Sequence, residues 1–384
     1  MKIAILGFGT VGSGAYEAAK SAPGIEVKRI VDLRDFPDYR DILTKDINDV
    51  LDDDEIELVA ECMGGVHPAY EFVTGAMRRG KHVVTPNKNL VSACYDELMA
   101  CAAENGVEFR FTPAAGGGIP WLYNLMRSRR CDEILEVHGI VNGTCNYILD
   151  NMHTNGADFA AVLAEAQALG YAERDPSADI DGHDTLRKCV ISSNIAFDAR
   201  LREEDIPTFG IRSITAEDVA WCNANGYTCK LLMNAGLAGD ALYAYVEPEL
   251  FTADALESGV KANFNLITLT GVNVGPLSFY GQGAGMMPTG TSLVQDMIDI
   301  AAGIGFAPAD GGTAHTLDNT KVAHRYYFRG SDLSGLPASV IAEQFARGSD
   351  TVVLTAPISV TAAHQFAADC AARGIDFFMA GINE

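Results

Sequence analysis

Six residues near the N-terminus, GFGTVG at Gly7–Gly12, constrain the fold of this chain more than any other stretch. They follow the apolar run KIAIL and open VGSGAYEAAKSA, a pattern that predicts a helix closed by Pro23 and Gly24. Strand, glycine-rich turn and helix, in that order, are the context a dinucleotide-binding fingerprint requires. Gly7 permits the tight turn, Gly9 lets backbone approach a pyrophosphate, and Gly12 allows close packing of helix on strand. Phe8, Thr10 and Val11 complete the loop, and the helix N-terminus behind it offers N–H groups and partial positive charge to phosphate. Asp32, at the end of the next predicted strand EVKRIVDL, is placed to accept hydrogen bonds from ribose hydroxyls, which favours NAD. Arg34 beside it would suit a 2′-phosphate, so NADP stays open.

The same alternation continues through ELVAECMGG, HPAYEFVTGAMRRG, KHVVTPN, a helix from about Tyr95 to Asn105, and VEFRFTPAAGG. Strands and helices at this spacing predict βαβ units, hence an α/β, Rossmann-type doubly wound parallel sheet over residues 1–127. Beyond Pro120 the texture changes. EILEVHGIVNGTCNYIL reads as strand, turn and helix start, and helices are expected at Ala157–Leu169 and Gly182–Phe197. β-branched segments between Ala241 and Phe279 suggest antiparallel strands. Residues 128–285 are therefore expected to form an α+β domain with a mixed sheet. The helix LVQDMIDIAAG, within about 286–322, would return the chain to the first domain. From 323 to 384 the order RYYFRG, a helix over LPASVIAEQFARG, TVVLTAPI, a helix over VTAAHQFAADCAARG, and IDFFMAGI predicts a small βαβαβ unit.

Composition narrows the function. A formal net charge of −23 over 384 residues would repel nucleic acid and anionic membrane alike. The N-terminus lacks the apolar run and cleavage site of a signal peptide, and no apolar run is long enough to cross a bilayer. The nine cysteines are scattered without a CxxC pair, and the eight histidines show no ligand spacing. A reduced, cytoplasmic protein without a transition-metal site is the economical reading.

The stretch YAERDPSADIDGHDTLRK crowds Glu173, Asp175, Asp179, Asp181 and Asp184 ahead of Arg187 and Lys188. Asp184 and Lys188 are four apart and share one helix face. Their pairing would hold the lysine charged while burial would pull the other way. A fixed ammonium there could stabilise an alkoxide developing on a carbonyl and hand over a proton. Acids nearby suit a substrate that carries its own ammonium group. Exposed Asp–Lys pairs at this spacing are also common surface features, Asn142–Gly143 is a frequent turn pair, and Asp179 or Asp181 could cap the helix beginning near Gly182. Asp175 and the run Asp52–Glu55 read as solvated, and Cys145 and His183 as packed or exposed without a chemical role.

GFGTVG, ECMGG (Glu61–Gly65), TPNK (Thr85–Lys88), GGIP (Gly117–Pro120), NGTCNYIL (Asn142–Leu149), the acidic stretch and GQGAGMMPTGTSLVQDMIDIA (Gly281–Ala301) come in one order. Together they resemble the homoserine dehydrogenase family over about the first 320 residues. The resemblance implies reversible NAD(P)-dependent interconversion of L-aspartate 4-semialdehyde and L-homoserine, in threonine and methionine biosynthesis, by a homodimer or homotetramer. It makes residues 128–285 the catalytic and oligomerisation domain. By position, Lys188 matches the catalytic lysine, Asp184 its partner, Glu173 the substrate-binding glutamate, and Lys88 the lysine at the junction of cofactor and substrate. Tyr171 and Asp179 fall where the family lines the substrate pocket, and Asn142, Gly143 and Thr144 supply the turn expected at the substrate carboxylate. Met63, Gly64, Thr85, Lys88 and Gly285 are expected beside the cofactor. The apolar segments around Asn263–Phe279 are the expected oligomer interface. The chain departs from the family in two places. Thr112 stands about where many members carry a glutamate associated with a monovalent cation, so any such ion near Thr112–Gly118 would rest on backbone carbonyls. The tail is similar to a regulatory, threonine-sensing ACT domain (βαββαβ) with one strand missing, an abbreviated unit expected to contribute to assembly with weak or absent threonine feedback. The other readings are a different Rossmann dehydrogenase of amino acids or sugars, for which TPNK and NGTCNYI are the wrong signatures, and a non-catalytic NAD(P)-binding regulator, which would not need Lys188.

Overall fold

The computed structural model describes residues 1–306 and 315–383. These fall into two compact units, one built from Met1–Arg130 with the segment that begins at Gly281, the other from Cys131–Tyr280 and the remainder of the chain.

The first unit is a parallel sheet of β1 (Lys2–Leu6), β2 (Glu26–Val31), β3 (Leu43–Thr44), β4 (Leu58–Glu61), β5 (His82–Val84) and β6 (Phe109–Arg110), ordered β3-β2-β1-β4-β5-β6. Its helices are α1 (Thr10–Ala19), α2 (Asn48–Leu51), α3 (Ala69–Met77), α4 (Lys88–Asn105) and α5 (Trp121–Ser128). β1 and β4 are apolar along almost their whole length and buried on both faces, as central parallel strands must be. The two-residue edge strand β3 is too short to show a pattern, and helix α5, whose Trp121, Leu122, Leu125 and Met126 form one buried face, adds to the elements expected from the sequence.

The second unit begins with β7 (Ile134–Ile140) and helices α6 (Gly143–Asn155), α7 (Phe159–Ala168), α8 (Ser177–Ile180), α9 (His183–Phe197) and α10 (Ala216–Ala224). Strands β8 (Tyr227–Ala238), β9 (Ala241–Thr252), β10 (Phe264–Gly271) and β11 (Gly275–Gln282) follow. Helix α11 (Met286–Ala301) then rejoins the first unit, as its position in sequence suggested. It crosses α1 so closely that a Cβ on Gly14 would lie 2.1 Å from the Met286 carbonyl oxygen, and one on Gly290 2.3 Å from the Gly14 backbone.

Residues 323–384, expected as a domain of their own, group with the second unit. After β12 (Thr316–Leu317) come β13 (Ala323–Gly330), β14 (Ile341–Arg347), β15 (Asp350–Thr355), β16 (Ile358–Ser359), α12 (Val360–Ala372) and β17 (Phe377–Ile382). The sheet runs β11-β10-β7-β8-β9-β17-β13-β15-β14, with β17 parallel to β9 across the join. The helix expected over LPASVIAEQFARG is wrong: the segment is a short 3-10 turn, Ala338–Val340, followed by β14. Gly348, which would have ended a helix, instead sits at φ +60° in a two-residue Gly–Ser turn that pairs Arg347 with Asp350. The tail thus keeps all four strands of a βαββαβ pattern and lacks its first helix, rather than a strand. Leu333 and Leu336 of the loop in that place pack into the core under α12, with Tyr326, Phe328, Phe366 and Phe377.

Candidate active site

In the first unit the turn after β1 is formed as its glycines suggested. Gly7 takes φ +87°, and a Cβ on Gly12 would strike the Gly7 carbonyl oxygen at 2.0 Å. Gly9 ends the loop at the N-terminus of α1, where no side chain caps the helix, so the helix amides face the open side of the glycine loop. A side chain at Gly9 would meet nothing nearer than the Arg34 guanidinium, 3.8 Å away. These residues fit a dinucleotide pyrophosphate. Asp32 and Arg34, weighed as rival ribose and phosphate contacts, are paired with each other. The Asp32 carboxylate accepts Arg34 Nε at 3.0 Å, Nη2 at 2.8 Å and the Arg34 amide at 2.9 Å, and also the Phe8 amide at 2.7 Å. Arg34 is the main cause that holds the Asp32 carboxyl well below the usual range.

On the same edge of the sheet, Thr85 is fully buried and its hydroxyl donates to Glu61 at 2.6 Å. Its side chain therefore serves the fold, and Lys88 begins α4 three residues later. Met63 and Gly64 lie in the loop after β4, while Gly285 precedes α11 at φ +120°.

In the second unit the lysine constellation is assembled. Lys188 and Asp184 lie one turn apart on α9, a helix buried along almost its whole length, and both side chains meet the Val141–Asn142 turn that follows β7. Lys188 Nζ donates to Asp184 Oδ2 at 2.6 Å and to the Val141 carbonyl at 2.6 Å. Asn142 donates through Nδ2 to Asp184 Oδ2 at 2.8 Å and to Asp179 Oδ1 at 2.7 Å. Its Oδ1 accepts the Cys145 amide at 2.8 Å and caps α6. With both donors and the acceptor engaged, Asn142 orients the two carboxylates and the turn. Gly143 is required by proximity, since a Cβ there would lie 2.6 Å from the Asn263 carbonyl oxygen. Thr144 donates its hydroxyl to the Tyr171 carbonyl at 2.6 Å, and the Tyr171 ring packs edge-on to Tyr147 with centroids 5.1 Å apart.

The structure leaves Glu173 exposed on the loop between α7 and α8, outside the Lys188–Asp184–Asn142–Asp179 hydrogen-bond cluster. Neither Asp179 nor Asp181 caps α9, whose N-cap is Gly182 at φ +87°. Asp181 instead pairs with Arg212 at 2.5 Å, and Asp175 accepts the Ser177 amide at 3.1 Å. Cys145 is buried, and burial drives its thiol pKa up, so it is a packed thiol, and His183 is exposed. Glu61 and Asn87, within ECMGG and TPNK, have structural roles that sequence reasoning missed; a carboxylate closing an otherwise apolar strand is the signal that could have found Glu61. Thr112 commits its hydroxyl and amide to Asp296, at 2.7 and 3.1 Å. No group of three or more metal-ligating side chains occurs among the described residues.

A dinucleotide cradle in one unit and a buried lysine–carboxylate pair in the other define an NAD(P)-dependent oxidoreductase. Two family models match: one described as homoserine dehydrogenase, NAD binding domain, over residues 7–112, and one as homoserine dehydrogenase over residues 120–298. The homoserine dehydrogenase of Synechocystis sp. is 39% identical over 78% of this chain and 73% of its own length. That of Bacillus subtilis is 37% identical over 78% of this chain and 72% of its own. A homoserine dehydrogenase crystal structure from Thiobacillus denitrificans superposes with TM-score 0.87 at 31% identity, covering 100% of this chain and 98% of that one. The chain belongs to the homoserine dehydrogenase family.

Proposed function

We propose that the chain catalyses the reversible reduction of L-aspartate 4-semialdehyde to L-homoserine with NAD or NADP. The buried Lys188–Asp184 pair, oriented by Asn142, is the observation that carries this reading. The bound nicotinamide supplies or accepts the hydride. Lys188 donates the proton to the carbonyl oxygen in the reducing direction and receives it in the other. Proton transfer by a positioned group of this kind contributes about 10²–10⁴-fold, and Asp184 holds the Lys188 ammonium in place. Glu173, Asp179 and Tyr171 accept the substrate's ammonium end, while Lys88 and the backbone of Asn142–Thr144 receive its carboxylate. The glycine loop Gly7–Gly12 holds the pyrophosphate, and Met63, Gly64, Thr85 and Gly285 shape the rest of the cofactor site. Asp32 accepts the adenosine ribose hydroxyls in NAD, the favoured cofactor, once Arg34 swings aside.

A monovalent cation does not fit the Thr112–Gly118 segment well. The side chain at the family's glutamate position is neutral and already bonded to Asp296, and no step is assigned to an ion. For assembly we propose a homodimer or homotetramer through the β10–β11 edge. Val272–Gln282 contains no charged residue, and Val272, Val274, Leu277 and Tyr280 are exposed, whereas the opposite edge, β14, carries Glu343 and Arg347. Uncharged exposed edges are where chains pair. The tail, an ACT-like unit without its first helix, is assigned to assembly with weak or absent threonine feedback. The test is the absorbance change of NADH and NADPH, separately, with L-homoserine or L-aspartate semialdehyde, with and without threonine and potassium. Turnover supports the reaction. Steep inhibition by millimolar threonine would reject the view of the tail, and dinucleotide binding without turnover would reject the reaction.

A further inference from the structure

Two loops of the first unit, one after β4 and one after β5, close over a single buried carboxylate. Glu61 is fully buried, and its Oε1 accepts the amides of Met63 at 2.6 Å and Gly64 at 3.2 Å. Its Oε2 accepts the Thr85 hydroxyl at 2.6 Å. A hydroxyl has one proton, so Thr85 Oγ1 acts as acceptor towards the Asn87 amide, 3.0 Å away. Asn87 then donates Nδ2 to the Gly65 carbonyl at 2.7 Å and accepts the Leu90 amide at 3.2 Å, capping α4. The circuit returns to the loop where it began. Gly64 and Gly65 both take left-handed conformations, φ +77° and +72°. Successive inward amides of this kind form a nest for an anion, and here the anion is the protein's own carboxylate. Burial raises the Glu61 pKa, while the hydrogen bonds from Thr85 and the loop amides oppose it.

We propose that Glu61 is a positioning residue for the dehydrogenase. It clasps the Met63–Gly65 loop to the Thr85–Asn87 turn and thereby fixes both the cofactor-facing loop and the start of the helix that carries Lys88. The proposal rests on the reading above, which places Met63, Gly64, Thr85 and Lys88 at the cofactor. It adds a restriction to that reading. The Met63 and Gly64 amides are spent on Glu61, so this loop meets the dinucleotide through carbonyls and side chain, and phosphate charge is left to Gly7–Gly12.

The test compares Glu61→Gln, Thr85→Val, the double variant and Thr85→Ser, each checked for folding by circular dichroism. Dissociation constants for NADH and NADPH are measured by fluorescence, and kcat and KM by initial rates with L-homoserine. Glu61→Gln and Thr85→Val should each weaken dinucleotide binding and lower kcat by about tenfold, and should raise the KM for homoserine several-fold, because the clasp also sets Lys88. The double variant should be little worse than either single one, because both cut the same circuit. Thr85→Ser, which keeps the hydroxyl, should lose clearly less dinucleotide affinity and kcat than Thr85→Val. Folded Glu61→Gln with wild-type binding and turnover, or additive losses in the double variant, would overturn the clasp. If Glu61→Gln does not fold, Thr85→Val against Thr85→Ser makes the same decision, since it leaves the carboxylate on its amides. A wild-type protein that binds no dinucleotide would overturn the parent reading and this one together. Wild-type binding with normal turnover isolates failure to the clasp.

Discussion

Asp32–Arg34 in the first unit and Asp184–Lys188 in the second are each a carboxylate and a cation close in sequence and in hydrogen-bond contact. The first pair spans two residues at 2.8 Å and the second four at 2.6 Å. Their surroundings separate them. The two carboxylates are equally buried, each 9% exposed, but the Arg34 side chain is 61% exposed and that of Lys188 only 9%. An ion pair at the surface is worth about 0–1 kcal/mol and is screened by salt. A buried pair keeps its geometry because the alternative, an uncompensated buried charge, costs several kcal/mol. Asn142 and the Val141 carbonyl complete the second pair, whereas the Arg34 guanidinium lies over the Phe36 ring, 5.2 Å from its centroid. The same chemical couple is therefore an adjustable arm in one place and a fixed tool in the other.

The sharpest way to break this contrast is to remove the fixed cation. Lys188→Ala should lower kcat by about 10³-fold or more, with dinucleotide affinity changed less than about threefold. Initial rates and a fluorescence titration of NADH would decide, and lost affinity with unchanged turnover at saturation would place Lys188 elsewhere. Next in size is Asp184→Asn, which keeps the shape and removes the charge. Turnover should fall by about 10–100-fold, and a urea titration should show a loss of about 3 kcal/mol from the lysine left buried without its counter-charge.

Asp296 sharpens the comparison from a third side, since it is buried against the neutral hydroxyl and amide of Thr112. Burial pushes its carboxyl up to about 7. An acid whose folded pKa is raised is held protonated by the fold, so stability is full below its unfolded pKa and declines as pH climbs towards 7. Asp296→Asn should flatten that decline, by about 1–3 kcal/mol between pH 4.5 and 7.5 in urea midpoints. An unchanged slope would show the carboxylate ionised in place. The smallest effect belongs to the exposed arm. Arg34→Ala should raise the KM for NADPH several-fold, about 1 kcal/mol, and leave that for NADH within about twofold. Raising salt should mimic it, and should not touch the Lys188 step.

Much of this was legible in the chain itself. GFGTVG fixed the first crossover because glycine alone tolerates the φ of +87° at Gly7 and the contact at Gly12. Asp184 and Lys188 could be paired from helical spacing, and the apolar strands of the parallel sheet announce themselves because they are buried on both faces. These are local signals, set by steric limits and by periodicity within a few residues. The tail shows the limit. LPASVIAEQFARG reads as a helix by composition, and becomes a strand because a Gly–Ser turn lets it pair with β15, whose partner β13 is already aligned against β17. That Glu173 lies exposed on a loop and that Thr85 bonds inward to Glu61 could not be read from the chain, since both depend on neighbours far away in sequence. Sequence determined which turns and helices could form and which residues carried reactive groups. Only the tertiary structure decided which groups were buried together, because desolvation depends on neighbours from distant segments, and burial separates a working ion pair from a surface one.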